Sequence, residues 1–345
     1  MDPRPDVVDG SPAAREAKYR RPWWYRGAHL QTVWGPLFRR FRVPRLTRER
    51  LDTPDGDFLD LDWLVERAGE PSADTRAGAP LVVILHGLEG SSRSHYVSGL
   101  LRETAGLGLD GVVLNFRSCS GELNRVERLY HSGETSDLDW VIAALLARDP
   151  ARRIGLVGVS LGGNVALKWL GERGVDAPAP VVAAAAISTP FDLAACAGVL
   201  DRGFARALYT SDFLRTMKAK IRAKASLFDG RVDVARALRA RTFTEYDRAV
   251  TAPLYGFVDE RDYWTRSSSR RYLATIRRPC LLISAVNDPF MPASSLPHEA
   301  VAASPWLEAL FPAEGGHAGF LEGALGRRSW AERRALAFLH RHLLG

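Results

Sequence analysis

From residue 80 onward, short apolar runs alternate with amphipathic stretches. Runs at 80–85, 111–116, 154–159, 181–188, 280–285 and 307–311 have strand length, and their near-continuous apolarity is that of strands buried on both faces. Between them, 96–105, 135–147 and 163–171 read as helices, with Thr135 placed as a cap, and 330–344 reads as a closing amphipathic helix. Upstream, 50–53 and 59–64 flank the turn signal Pro54-Asp55-Gly56, which predicts an antiparallel hairpin or meander. Antiparallel strands leading into alternating β and α units predict an α/β fold. Its sheet is twisted, mostly parallel and covered by helices on both faces.

One segment breaks the alternation. From 190 to about 265 there is helical periodicity and many aromatic residues but no convincing strand, too long a stretch for a plain connection. It predicts a helical cap over the carboxyl edge of the sheet. The expected organisation is a basic arm over 1–50 packed on the body, a core over 51–189 and 266–345, and the cap over 190–265. A polar stretch at 69–80 reads as a loop within the core, not a linker.

Composition changes this picture little. The 345 residues are 25% charged and 46% hydrophobic, enough to bury a large core. Cys119, Cys196 and Cys280 are odd in number and far apart, which predicts free thiols in a reducing compartment. The first 22 residues lack the apolar core of a secretory signal, and the apolar runs at 81–85 and 181–187 are too short to span a membrane. A cytoplasmic protein is expected. The net charge of +7 raises nucleic acid, an anionic membrane or an acidic ligand as partners.

The strongest chemical signal is Gly158-Val159-Ser160-Leu161-Gly162, set between a predicted strand and a predicted helix. A Gly-x-Ser-x-Gly string alone is weak, but in that context it predicts a strained turn that lifts the Ser160 hydroxyl clear of the backbone. A hydroxyl nucleophile needs a base and an acid that orients it, which follow later strands in this kind of sheet. Asp288 follows the run at 280–285 and precedes Pro289, with Asp192 as the competing acid. His317 sits in the glycine-rich loop after 307–311. His86-Gly87-Leu88 ends the first parallel strand, so the backbone N–H groups of Leu88 and Leu161 are the candidate oxyanion donors. His86 and His131 read as packed, hydrogen-bonded braces, and Cys119 as a bystander near the same sheet edge.

These residues together resemble the α/β-hydrolase superfamily, in particular its YheT-type branch, which is similar to ABHD-type lipid esterases. The resemblance rests on HGLEGSS (86–92), NFRSCSGE (115–122), YHSGET (130–135), GVSLGGN (158–164) and GGHAGF (315–320), and extends to PWWYRGAHLQTVW (22–34) and TAPLYGFVDERDYW (251–264). It implies serine ester hydrolysis with Ser160, Asp288 and His317 as the triad, acting on short- to medium-chain acyl or lipid-like esters. Ser118 departs from the usual glycine of its string, and Asn287 from the acid that often precedes the triad aspartate.

A small-molecule ester is therefore the expected partner, with no metal and no redox cofactor required. Acyl transfer to an alcohol with the same triad and a non-catalytic binding role are the alternatives. Aspartate at the elbow, which dehalogenase or epoxide hydrolase chemistry would need, is absent. Phe191, Phe204, Tyr209, Phe213, Phe228, Tyr255, Phe257, Tyr263 and Trp264 supply either an acyl pocket or the cap's own core. Trp23, Trp24 and Trp34 crowd together, either packed on the body or as a membrane-dipping lip. The charge is local: 12 basic and 5 acidic residues in 1–50, and 11 basic and 4 acidic in 201–241. This argues against a nucleic-acid binder, which also lacks a recognised motif. It leaves a basic cap that is either a solvated face or a contact with anionic lipid, with Lys218, Lys220 and Lys224 as the residues to test.

Overall fold

The computed structural model describes residues 18–39, 44–65 and 78–345. The expected loop at 69–80 falls, apart from 78–80, outside the described residues, as does the first part of the basic arm.

The chain enters through helix α1 (Ala28–Phe38), then forms β1 (Leu46–Asp52) and β2 (Phe58–Leu64). The alternating units follow as β3 (Leu81–Leu85), α2 (His95–Gly106), β4 (Asp110–Asn115), α3 (Ser136–Arg148), β5 (Ile154–Val159), α4 (Leu161–Arg173) and β6 (Val181–Ile187). After a helical excursion the chain returns to the sheet as β7 (Cys280–Ile283) and β8 (Leu307–Leu310). The eight strands lie in the order β1-β2-β4-β3-β5-β6-β7-β8. β1 and β2 run antiparallel to their neighbours, and every pairing from β4 to β8 is parallel.

Alternation along each strand sorts the core into two layers. Leu81, Val83 and Leu85 pack on the side covered by α3 and α4, while Val82 and Ile84 pack on the side of α2 and the closing helix (Trp330–Leu344). The hairpin forms in the expected place, with Leu51 opposite Leu59 and Gly56 at φ 78. β1 begins at Leu46, so the expected arm boundary at 50 cuts through a strand. β1 is an edge strand, and Arg48 and Arg50 reach across it to Asp62 and Asp60 of β2.

Sequence periodicity did not place α1, because Gly35 and Pro36 interrupt it. Its approach to α2 is close enough that a Cβ on Gly35 would sit 2.5 Å from His95 Nε2. Trp24 packs against Trp34 at 4.6 Å between ring centres and donates its indole N–H to the Ala324 carbonyl, while Trp23 is exposed. The NFRSCSGE string is largely structural. Arg117 is buried, donates bidentately to Asp137 at 2.8 Å and reaches Asp57 at 3.0 Å. Ser118 has φ 61, the conformation that favours glycine, and compensates by accepting the Asn124 N–H through its own hydroxyl.

Between β6 and β7 lie α5 (Leu193–Leu200), α6 (Ser211–Ala223) and α7 (Glu260–Ser267), joined by shorter helical pieces that include π turns at Arg206–Thr210 and Asp247–Thr251. Two of the lysines expected on a lipid-facing or solvated surface turn inward. Lys220 pairs with Glu89, and Lys224 is buried, donating to the Arg128 carbonyl; burial lowers its pKa to about 8. An amphipathic pattern marks a polar face, but long polar side chains can satisfy it against buried carboxylates and carbonyls. No helix among the described residues is long and apolar enough to cross a membrane. Cys119, Cys196 and Cys280 are free thiols.

Candidate active site

β5 ends at Val159 and α4 starts at Leu161, so the whole change of direction falls on Ser160, at φ 54 and ψ −122. A side chain at positive φ is strained, and the strain holds only because the neighbours are fixed. A Cβ on Gly158 would lie 2.3 Å from the Gly162 carbonyl oxygen, and one on Gly162 would lie 2.4 Å from that of Leu85. Both glycines are demanded by backbone-to-backbone approach, and the Ser160 hydroxyl is left at the carboxyl edge of the sheet.

The structure brings Ser160, His317 and Asp288 together across 157 and 29 residues of chain. His317 Nε2 lies 2.9 Å from Ser160 Oγ, and His317 Nδ1 lies 2.9 Å from Asp288 Oδ2. A carboxylate only accepts, so Nδ1 carries the proton and Nε2 accepts from the serine hydroxyl. Asp288 is buried, and its other oxygen accepts the Phe290 N–H at 2.8 Å. Asp192, the competing acid, instead caps α5 by accepting the Ala195 N–H.

The loop after β3 lies against Ser160; a Cβ on Gly87 would come within 3.2 Å of the Ser160 Cβ. Gly87 N–H donates to the Tyr96 hydroxyl at 2.8 Å, Glu89 N–H to the Tyr130 hydroxyl at 2.7 Å, and Gly90 N–H to the Gly87 carbonyl. The Leu88 N–H between them has no acceptor among the described residues. Leu161 opens α4, where N–H groups have no partner within the helix and the helix dipole favours negative charge. Neither N–H has a hydrogen-bond acceptor among the described residues.

His86 and His131 are braces. His86 is buried, donates from Nδ1 to the Gly87 carbonyl and accepts the Phe116 N–H at Nε2; burial holds its pKa down to about 4. His131 accepts the Gly133 N–H and packs among Tyr255, Phe257 and Tyr263, and burial likewise lowers it to about 4. Burial pushes the Cys119 thiol up to about 11, far from a reactive thiolate. Among the described residues, no group of three His, Cys, Asp or Glu side chains gathers as a metal site.

Several contributors carried no chemical signal in the sequence. Gln31 Oε1 of α1 accepts the Gly315 N–H at 3.0 Å and the Asn287 side-chain amide at 2.9 Å, and Thr32 accepts the His317 N–H at 3.0 Å. Asn287 accepts the Gly316 N–H. The helix at the start of the chain thus holds the histidine loop from behind. The PWWYRGAHLQTVW match covered both side chains without assigning either a role. Phe290 stacks on the His317 ring at 4.0 Å between centres and 17° between planes.

Two spaces open on either side of Ser160. A cavity of about 90 Å³ runs under the helical excursion between Leu193, Leu200, Phe213, Phe243 and Trp264. It adjoins a second of about 70 Å³ that shares Leu88, Leu161, Asp247 and Tyr263 with it. A broad cleft of about 1020 Å³ opens on the other side, between α1 and the loop after β3. Of the nine aromatics expected in an acyl pocket or cap core, Phe213, Tyr263 and Trp264 line the first cavity and Tyr255 the second. Phe191 is packed into the sheet core, Phe228 into the excursion's own core, and Phe204 is 60% exposed. Phe243 and Phe290 also wall the cavity beside Ser160.

A hydroxyl on a strand-to-helix elbow, with an imidazole and a carboxyl group on later loops of a parallel sheet, defines the α/β-hydrolase class. Comparison with known proteins agrees. The family model of the alpha/beta hydrolase fold matches residues 80–324, and the chain belongs to that family. It is 37% identical to YheT of Escherichia coli (strain K12) over 340 residues, which is 98% of this chain and 97% of that one. It is 29% identical to the phospholipase ABHD3 of Mus musculus over 324 residues, 93% of this chain and 77% of that one. Among solved structures, the Pyrococcus furiosus esterase Pf2001 superposes with a TM-score of 0.55 at 17% identity, covering 87% of this chain and 93% of that one, a likeness of fold.

Proposed function

We propose that this chain is a serine carboxylic-ester hydrolase that cleaves short- to medium-chain acyl or lipid-like esters through an acyl-enzyme. The observation that carries the reading is the hydrogen-bonded line from Asp288 through His317 to Ser160, beside the unpartnered Leu88 N–H. Ser160 Oγ attacks the ester carbonyl as His317 Nε2 takes its proton, and Asp288 stabilises the imidazolium that forms. The tetrahedral oxyanion is held by the Leu88 and Leu161 amides, each worth about 3 kcal/mol to the transition state. His317 then protonates the departing alkoxide and later activates the water that releases the acid.

In this reading residues 190–265 are a cap inserted between β6 and β7 of a core that begins with β1 at Leu46, and the described part of the arm, residues 18–39, is laid on that core. The acyl chain lies in the cavity under the cap and the alcohol in the broad cleft. A cavity of about 150 Å³ holds benzene, so the about 90 Å³ beside Ser160 takes roughly four carbons, and roughly six with the adjoining chamber. The three free thiols fit a reducing, cytoplasmic setting.

The test is fluorophosphonate labelling of wild type and Ser160→Ala, followed by turnover of p-nitrophenyl esters of increasing acyl length. Labelling lost with Ser160 and an optimum near four to six carbons are expected. An unlabelled wild type overturns the reading and revives a non-catalytic binding role. Acyl transfer uses the same groups; ethyl esters in excess of free acid when ethanol is added would favour it. The reading also assigns peripheral contact with anionic lipid to the exposed Arg202, Arg206, Arg215 and Arg222. Vesicle binding that does not rise with anionic lipid content would overturn that part.

A further inference from the structure

The loop that carries the Leu88 amide is tied to the cap by a buried ion pair. Lys220 Nζ of α6 lies 2.6 Å from Glu89 Oε1, with the two side chains 15% and 9% exposed. Tyr130 closes the arrangement. Its hydroxyl accepts the Glu89 N–H at 2.7 Å and donates to the same Glu89 Oε1 at 2.8 Å, and its ring stacks face to face on Phe116. Glu89 itself is held at φ 54, a conformation a non-glycine side chain adopts only when its surroundings fix it. Lys220 also reaches Cys119 Sγ at 3.2 Å, so one ammonium group joins the cap, the loop after β3 and the loop after β4. Phe213 and Met217, on the same helix, line the two cavities under the cap.

We propose that Lys220 is a positioning residue for the oxyanion loop: through Glu89 and Tyr130 it fixes the Leu88 N–H and screens that N–H from the Glu89 carboxylate. The proposal rests on the reading of Ser160 and Leu88 given above. Its geometry has two consequences. Oxyanion stabilisation depends on α6 being seated, because the loop takes one of its anchors from the cap. An unpaired Glu89 also places a negative charge one residue from the donor that must meet a negative oxygen, in a setting where water screens it poorly.

The second consequence gives a test that simple loss of a structural contact does not mimic. Lys220→Met removes the cation and leaves the anion, whereas Glu89→Gln removes the anion and keeps a side chain that can still accept from Tyr130. Removing an oxyanion donor outright costs about 100- to 1000-fold in kcat, so displacing and repelling one is expected to cost about 10- to 30-fold. With the best p-nitrophenyl ester, kcat is expected to fall about 10- to 30-fold in Lys220→Met and about threefold in Glu89→Gln. KM stays within about twofold of wild type, and Lys220→Arg recovers most of the loss. The double variant Glu89→Gln/Lys220→Met is expected to be faster than Lys220→Met alone. Rates of fluorophosphonate labelling should follow the same order, which frees the result from the choice of ester.

A Lys220→Met kcat within twofold of wild type overturns the proposal. So does a double variant as slow as the product of the two single losses, or a loss confined to KM. Melting temperatures of Lys220→Met and the double variant well above the assay temperature, with those of Glu89→Gln and Lys220→Arg near that of wild type, show that the comparison is made on folded protein. The two readings fail differently: a wild type that takes no fluorophosphonate defeats the assignment of Ser160, whereas a wild type that labels no faster than Lys220→Met defeats only the role of Lys220.

Discussion

Asp247 gives the sharpest physical prediction. It starts a π turn in the helical excursion between β6 and β7, is buried at the junction of the two cavities, and accepts the Thr251 hydroxyl at 2.6 Å on one oxygen and the Trp264 indole N–H at 2.8 Å on the other. No cation pairs with it among these contacts, and burial raises its pKa from 3.8 to about 7. The unfolded chain releases this proton near pH 4 and the folded chain near pH 7, so the native state binds more protons in between. The stabilisation is therefore full below about pH 4 and is lost as pH rises through about 7. At about 1.4 kcal/mol per pH unit, the interval from 3.8 to about 7 corresponds to a loss of roughly 4 kcal/mol.

Asparagine mimics the protonated side chain in both size and bonding. Its carbonyl accepts from Trp264, which can only donate, and its amide donates to the Thr251 hydroxyl, which can turn to accept. Asp247→Asn should therefore gain on wild type as pH rises. The two should diverge by about 1.4 kcal/mol per unit across pH 5–7 and run parallel above about pH 8. Urea denaturation at successive pH values, with the wild-type curve subtracted from the variant's, isolates this group from every other that titrates. A difference that stays constant from pH 5 to 8 would refute the reasoning, and one of opposite slope would mean the carboxylate is stabilised as an anion.

Three further outcomes follow from the site. Gly162→Ala places a methyl 2.4 Å from the Leu85 carbonyl oxygen, so fluorophosphonate labelling should be lost along with several degrees of melting temperature. Gln31→Leu leaves the buried Gly315 N–H without its acceptor, at about 1–3 kcal/mol; the histidine loop should loosen and kcat fall about tenfold with an unchanged acyl-length profile. Ala197→Trp fills the cavity beside Ser160 and should abolish turnover of p-nitrophenyl hexanoate while sparing the acetate, so equal loss of both esters would place the acyl chain elsewhere.

What the sequence made legible was local. The elbow could be read because the turn at Ser160 needs two small residues at fixed spacing, and β3 to β6 because strands buried on both faces are continuously apolar. The braces of the histidine loop were not legible. Gln31 meets Gly315 across 284 residues, and nothing in an amide side chain announces which distant N–H it will accept. Lys220 and Lys224 were misplaced for a related reason: polarity along a helix shows which positions avoid the apolar core, not whether water or a buried oxygen receives them. Phe191 and Phe228 show the same ambiguity among aromatics, since filling a cavity and packing a core demand the same side chains.

Strand β1 has a consequence for how copies of this protein meet. An edge strand presents unpaired backbone groups to any passing strand, and a flat apolar edge invites sheets to join into aggregates. Here Thr47, Arg48, Glu49 and Arg50 follow one another along the edge, and both arginines are committed to aspartates on β2. A second chain adding beside β1 would have to strip water from these partly exposed charges. The charged β1 edge thus disfavours strand addition at that end of the sheet.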